Sequence, residues 1–260
     1  MEQLSFKVRL YEEDASAPGG FKQIHGMLRW KPEETAAVVC DMWDRHWCKG
    51  ATARVRELAP RINALLSTLR GAGVLVVHGP SDTLDFYRDH PARRRVVEAA
   101  QALPSPAFPA REVNKHPLPV DASDEGCWCE PRCKPGRAWS RQIDLIEIDE
   151  RDAITDSEDI FSLYSLRGIK NAFVMGVHLN MCVLGRPFTI RALLRRGFNV
   201  VLLRDLTDAM YNPAMPPFVD HFTGNDLVVE HIEKYLCPTT TSDEFLGGAP
   251  FRFIEDKRAV

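Results

Sequence analysis

The sequence predicts an α/β protein in three layers, a central, mostly parallel sheet with helices on both faces. Three observations predict it. Short apolar runs of strand length occur at residues 36–40 (AAVVC), 74–78 (VLVVH), 172–177 (AFVMGV) and 198–203 (FNVVLL). They lack the in–out alternation of a sheet with one wet face, as expected of strands buried on both sides. Segments of helical periodicity lie between them, and strand–helix alternation calls for parallel pairing with helices covering both faces.

The elements follow in order. Residues 1–30 stand outside the rhythm and read as a small hairpin or arm. After the first run, Val55, Leu58, Ile62, Leu65, Leu66 and Leu69 recur at spacings of three and four, the buried face of a helix. Pro60 is expected to kink that helix or to begin its second part, and Gly71 and Gly73 to stop it. A third strand is expected over 143–148, nearer an edge because it alternates with charge. A helix over 157–167 ends at Gly168. Another buries Val183, Pro187, Ile190 and Leu194 and ends at Gly197. A closing helix spans 226–235, with Leu227, Val228, His231, Ile232 and Tyr235 inward. Residues 103–140 are rich in proline and cysteine without periodicity, an insertion over the sheet's rim of the kind that forms lids and binding loops. Residues 237–260 form an extended tail. The whole, 1–260, is read as one domain, within reach of a single core at this length.

Composition narrows the function classes. Of 260 residues 45% are hydrophobic and 27% charged, ordinary globular values, and the net charge of −3 offers no basic field to nucleic acid or an anionic membrane. No uncharged apolar run approaches the roughly 18 residues of a membrane span. The opening MEQLSFKVRLYEEDA does not read as a signal peptide. Seven cysteines, an odd number, favour a reducing compartment, and a cytoplasmic location is expected.

Open parallel sheets bind ligands beyond the carboxyl ends of their strands. Those ends carry Asp41 with Trp43, Asp44 and His46; His78; Asp149, Glu150 and Arg151; His178, Asn180 and Cys182; and Asp205 and Asp208. Cys182 lies in a strand-to-helix turn, where unpaired amides and the helix dipole lower a thiol's pKa and can hold an oxyanion. The same position also suits a buried cysteine acting as a small hydrophobe.

The segment GVHLNMCVLGRPFTIRALLRRGFNVVLLRDLTDAM resembles the nucleophile region of the isochorismatase-like cysteine hydrolases, which include nicotinamidases, and AAVVCDMWD resembles their first strand. The resemblance implies a Rossmann-like isochorismatase fold. It also implies an Asp–Lys–Cys triad in which Cys182 is the nucleophile and Asp41 the base, with a thioester intermediate. It further implies a cis peptide at Val177–His178 and an oxyanion or substrate-orienting role for Val177, His178 and Met181. Where that pattern places its lysine, the stretch IEIDERDAITDS offers Asp149, Glu150 and Arg151. Arg151 is the expected replacement cation, with Lys115 and Lys134 of the insertion as alternatives. Trp43 and His78 are expected to line the substrate pocket, with Trp47 walling it for a flat or apolar substrate.

The triad requires no cofactor. A divalent metal has only Asp85 and His90 to draw on, because the Asp-x-His pair of the nicotinamidases is missing, and none is expected in the site. Cys127, Cys129 and Cys133 form C-x-C-x-x-x-C, which leaves zinc, free thiols or a disulfide open. His116, Cys48 or Cys237 would complete a zinc set. The expected partners are a small-molecule substrate and further copies of the chain, with the tail clasping a neighbouring subunit. The expected activity is hydrolysis of a small amide or similar non-peptide C–N bond. Two alternatives stand beside it: a catalytically idle binding or scaffold protein, and a vinyl-ether hydrolase using Asp41 as an acid.

Overall fold

The computed structural model describes residues 3–16, 19–104 and 106–259; residues 1, 2, 17 and 18 of the expected arm, 105 of the insertion and 260 of the tail lie outside the described residues. Along the chain run β1 (Leu4–Glu13), β2 (Phe21–Trp30), β3 (Thr35–Cys40), α1 (Lys49–Ala72), β4 (Leu75–Gly79), α2 (Pro91–Ala102), β5 (Ala153–Ile154), α3 (Ile160–Arg167), β6 (Asn171–Val177), α4 (Cys182–Gly185), α5 (Ile190–Arg195), β7 (Asn199–Asp208), α6 (His221–Tyr235), β8 (Thr239–Thr240) and α7 (Asp243–Leu246).

One eight-stranded sheet has the order β2-β1-β8-β7-β6-β3-β4-β5. It is parallel from β8 to β5, and β1 joins antiparallel to both β2 and β8. The side-chain period of two divides β3 between the sheet's faces. Ala36, Val38 and Cys40 enter a core with α2, α3, α5 and α6, while Ala37 and Val39 enter another with α1. Burial on both sides is why β3 after Thr35 and β6 after Asn171 are apolar.

α1 is a single helix whose inward row is Val55, Leu58, Ile62, Leu65, Leu66 and Leu69. Pro60 does not divide it: the residue sits on the exposed side, where water can take up the carbonyl it leaves unpaired. The expected strand over 143–148 is instead a turn. Ile146 N–H donates to Ile143 O, and both isoleucines are buried at a spacing of three, so the apolar residues mark a plug into the α1 face. The edge position is taken by two-residue β5. The expected helix over 183–194 is broken into α4 and α5 at Pro187. β7 runs to Asp208 rather than stopping at 203, and α6 starts earlier than expected because the Asp220 side chain caps it, accepting from Phe222 N–H and Thr223 N–H.

The arm is a hairpin that belongs to the core through Phe6, whose ring meets Phe173 at 5.0 Å and Trp30 at 5.1 Å. The tail expected to clasp a neighbour packs on its own chain. β8 fills the gap between β1 and β7, Ser242 and Phe251 N–H groups donate to Asp205, and Phe253 stacks on Phe222. Among the described residues no helix is long and apolar enough to cross a membrane.

Candidate active site

β3 and β6 are neighbours, so the residues that follow them meet at one rim. Gly176 permits this approach. Its φ is +105°, and a Cβ there would lie 2.1 Å from the Cys40 carbonyl oxygen. Asp41 follows at φ +47°, in the left-handed region, and is fully buried. Its Oδ1 accepts from Ser81 N–H at 2.9 Å and its Oδ2 from Arg186 Nε at 3.1 Å. Burial raises the carboxyl's pKa, and the Arg186 charge works against that rise.

Beyond β6 the Val177–His178 peptide is cis, and the chain turns into α4, which starts at Cys182. The Cys182 thiol is half-buried and near enough to Asp41 for each to alter the other's proton affinity. Its pKa is pushed up to about 12, by burial first and by the Asp41 charge second, with Arg186 opposing. The expected lowering is therefore overturned. α4 is a single turn whose dipole is short, and burial outweighs it. At rest the sulfur holds its proton against a carboxylate that an arginine steadies.

That arginine is the residue the sequence reading missed. Arg186 is four residues beyond Cys182, and it also reaches Asp82 at 3.7 Å. The spacing was the available signal, since residues four apart on a helical path face the same way. Arg151 does not approach Asp41. It is exposed and forks onto Asp149 at 2.8 and 2.9 Å, a pairing set by their i,i+2 placement in a surface turn.

The oxyanion group divides. Val177 is buried in β6, and Met181 N–H is used on the His178 carbonyl at 3.0 Å. The His178 backbone lowers the Cys182 thiol's pKa a little, against the rise that burial imposes. Among the described residues Cys182 N–H, the first amide of α4, has no acceptor.

His78 does not line a pocket. It is buried and bonded to Gln142 at 3.0 Å and to Asp152 at 3.0 Å, and Asp152 is clamped by Arg70. Trp43 is buried as well; its Nε1–H donates to Ser81 O at 3.1 Å and its ring stacks on Trp139 at 4.4 Å. It acts on the site indirectly, by fixing the residue whose amide holds Asp41. Asp85 pairs with Arg88, and His90 Nδ1 accepts from Ala92 N–H, so each is engaged elsewhere than on a shared ion. Cys127, Cys129 and Cys133 meet Cys48 at the start of α1.

Beneath the Cys182 turn lies a buried polar hub. Asp208 accepts from Arg54 Nε at 2.8 Å and meets His221 Nε2 at 2.8 Å. The buried ring of His178 packs against His46 at 4.8 Å. Burial holds His178 well below its ordinary pKa, and it brings His46 down to about 4 with help from the Arg54 charge. A histidine depressed on folding binds fewer protons folded than unfolded below pH ~6.5, so its contribution is complete above that pH and is lost as pH falls. Stability is expected to drop between pH 7.5 and 5, by up to about 1.4 kcal/mol per pH unit for each such histidine. Urea midpoints across that range test this; a flat profile contradicts it.

A cleft of about 410 Å³ between α6 and the tail, lined by Arg9, Arg204 and Arg258 among others, has no lining residue in common with the Cys182 site. No protein-family model matches the chain, and no curated protein matches it either. Solved structures do. A cysteine hydrolase from Pseudomonas syringae pv. phaseolicola superposes with a TM-score of 0.53 at 19% identity, covering 84% of this chain and 93% of that one. An isochorismatase from Pseudomonas putida gives 0.50 at 11% identity, covering 83% and 91%. The strand order, the crossovers and these superpositions together place the chain in the fold shared by isochorismatases and cysteine hydrolases.

Proposed function

We propose that the protein is a cysteine hydrolase that cleaves a small-molecule amide, or a comparable non-peptide C–N bond, through a thioester. The observation that carries this reading is the convergence of Cys182, Asp41 and Arg186 where β3 and β6 end. The Cys182 S–H gives its proton to Asp41 as sulfur bonds to the carbonyl carbon. The carbonyl oxygen takes the displaced electron pair and is held by Cys182 N–H. The C–N bond then breaks, Asp41 returns the proton to the departing nitrogen, and a thioester remains. Water gives a proton to Asp41 as its oxygen bonds to the thioester carbon; the C–S bond then breaks, the carboxylic acid departs, and Asp41 returns the proton to the sulfur.

Arg186 supplies charge to this cycle without carrying protons, since guanidinium stays protonated at any working pH. It keeps Asp41 ionised in a buried place. Arg186→Met is expected to lower kcat/KM by roughly 10²-fold, on the scale of a lost charge-stabilising contact. It should also move the acidic limb of the pH–rate profile to higher pH, because the cation's opposition to burial is gone. Arg186→Lys should retain most of the activity and leave that limb near its original position. Profiles of the three proteins on whichever small primary amide the wild type hydrolyses, followed by ammonia release, decide the matter. An unmoved limb in Arg186→Met removes the arginine from the site.

The raised Asp41 pKa favours one second reading, an acid that protonates a vinyl ether. That chemistry needs no sulfur and survives Cys182→Ala.

A further inference from the structure

We propose that Cys48, Cys127, Cys129 and Cys133 hold one structural zinc ion, a site separate from the Asp41–Cys182 pair and independent of the hydrolase reading. All four sulfurs lie within 4.8 Å of one another, and Cys48 Sγ is 3.6 Å from Cys129 Sγ. Zinc–thiolate bonds of about 2.3 Å in a tetrahedron put the sulfurs about 3.8 Å apart, so the cluster needs only a slight contraction to coordinate. Four thiolates are also a closed donor set, the type that serves structure and leaves no position for substrate.

The surroundings suit negative sulfur. α1 has Cys48 at its N-cap, no side chain capping it and no acidic residue in its first turn. Its leading amides turn to the cluster instead: Lys49 N–H donates to Cys133 Sγ at 3.4 Å and Gly50 N–H to Cys129 Sγ at 3.3 Å. Such amide bonds and the positive end of a 24-residue helix stabilise thiolate over thiol. Gly50 eases the approach, because a Cβ there would sit 3.3 Å from Cys129 Sγ and 3.2 Å from Arg54 Nη1, a tight fit.

The insertion is also built to deliver its cysteines. Gly126 has φ +70°, and a Cβ at that position would lie 2.4 Å from the Met210 backbone, so only glycine lets the chain press against the end of β7 just before Cys127. The described residues between α2 and β5 hold no helix and only an isolated bridge, Trp43 to Gln142, and few of their apolar side chains are buried. A segment so poor in core gains its fixed shape from a cross-link, and zinc ties it to the first turn of α1. The tie reaches the active-site rim, since Trp139 in the same segment stacks on Trp43.

The test is metal content on the full chain. Protein produced with zinc in the medium is expected to carry one zinc per chain by inductively coupled plasma mass spectrometry. Cys127→Ser and Cys133→Ser should each lose it, whereas Cys237→Ala should retain it. Wild-type protein alone gives a second reading should those variants not fold. A mercurial reagent should release one zinc as four thiols become titratable, and cobalt should bind with the intense ligand-field bands of a tetrahedral thiolate site. Metal-free protein with those thiols freely reactive, iron in place of zinc, or a disulfide among the four cysteines in peptide maps would each overturn the assignment.

Discussion

Cys182→Ala is expected to reduce kcat/KM on the wild-type enzyme's best small amide by about 10⁴- to 10⁶-fold, the cost of removing a covalent nucleophile outright. Folding should be little affected. The sulfur is half-buried, and the turn around it is held by backbone bonds and by Asn180, whose side chain bonds Met210 O and Met210 N–H at 2.8 Å each. A thermal scan of the variant alongside the kinetics therefore separates lost chemistry from lost structure. Asp41→Asn should come close to the same loss. It abolishes the proton acceptor for a thiol that, with its pKa near 12, does not ionise unaided at neutral pH. The pair should be strongly non-additive, because either removal alone stops the one proton transfer they share. Activity that persists in Cys182→Ala and dies in Asp41→Ala would transfer the chemistry to the vinyl-ether reading. A wild-type protein inert on amides and vinyl ethers alike would leave a binding protein.

How far the sequence foretold this site depends on what kind of signal each residue leaves. β3 and β6 were legible because burial on both faces writes an unbroken apolar run, and the rim residues Asp41 and Cys182 follow from where those runs end. The stretch over 143–148 misled for the same reason in reverse. Two isoleucines plugged into a helix face from a turn leave the apolar density of a short strand. The cation was sought after the third strand and sits instead on the path beyond the nucleophile, at Arg186. A residue's charge is visible in sequence, but which of several arginines folds towards a carboxylate is a matter of three-dimensional approach. The thiol's protonation was misjudged because a turn-and-helix pattern does not tell how long the helix is. Four residues of α4 carry too little dipole to offset burial. Cys48 was one of three residues able to complete the insertion's cysteines, and only the fold brings it there.

Arg54→Met is expected to destabilise the protein by about 3–5 kcal/mol, because it leaves Asp208 buried without its charge partner. Asp208 and Arg54 are both almost wholly inaccessible. Burial alone would raise the Asp208 carboxyl, but the Arg54 charge and the hydrogen bond to His221 outweigh it and hold the group well below the usual carboxylate range. A carboxyl depressed on folding contributes stability above its unfolded pKa of ~3.9 and loses it as pH falls through the folded value. In Arg54→Met that carboxyl rises instead, so the gap to wild type should be widest at neutral pH and narrow as acid protonates the orphaned group. Arg54→Met combined with Asp208→Leu should regain much of the loss, since an apolar pair in place of an ion pair leaves no charge stranded. Urea unfolding of the two single variants and the double, at pH 7.5 and 5.5, measures all of this; a single-variant loss under about 1 kcal/mol would match a surface pair and refute the hub. The consequence reaches the chemistry. Asp208 O accepts from Leu179 N–H at 2.8 Å, in the turn that carries Cys182, and Asp208 is in register with Val177 at the end of β6. Loosening it should slow turnover even where Asp41, Cys182 and Arg186 are all intact, because the geometry of the thiol is set from below by β7.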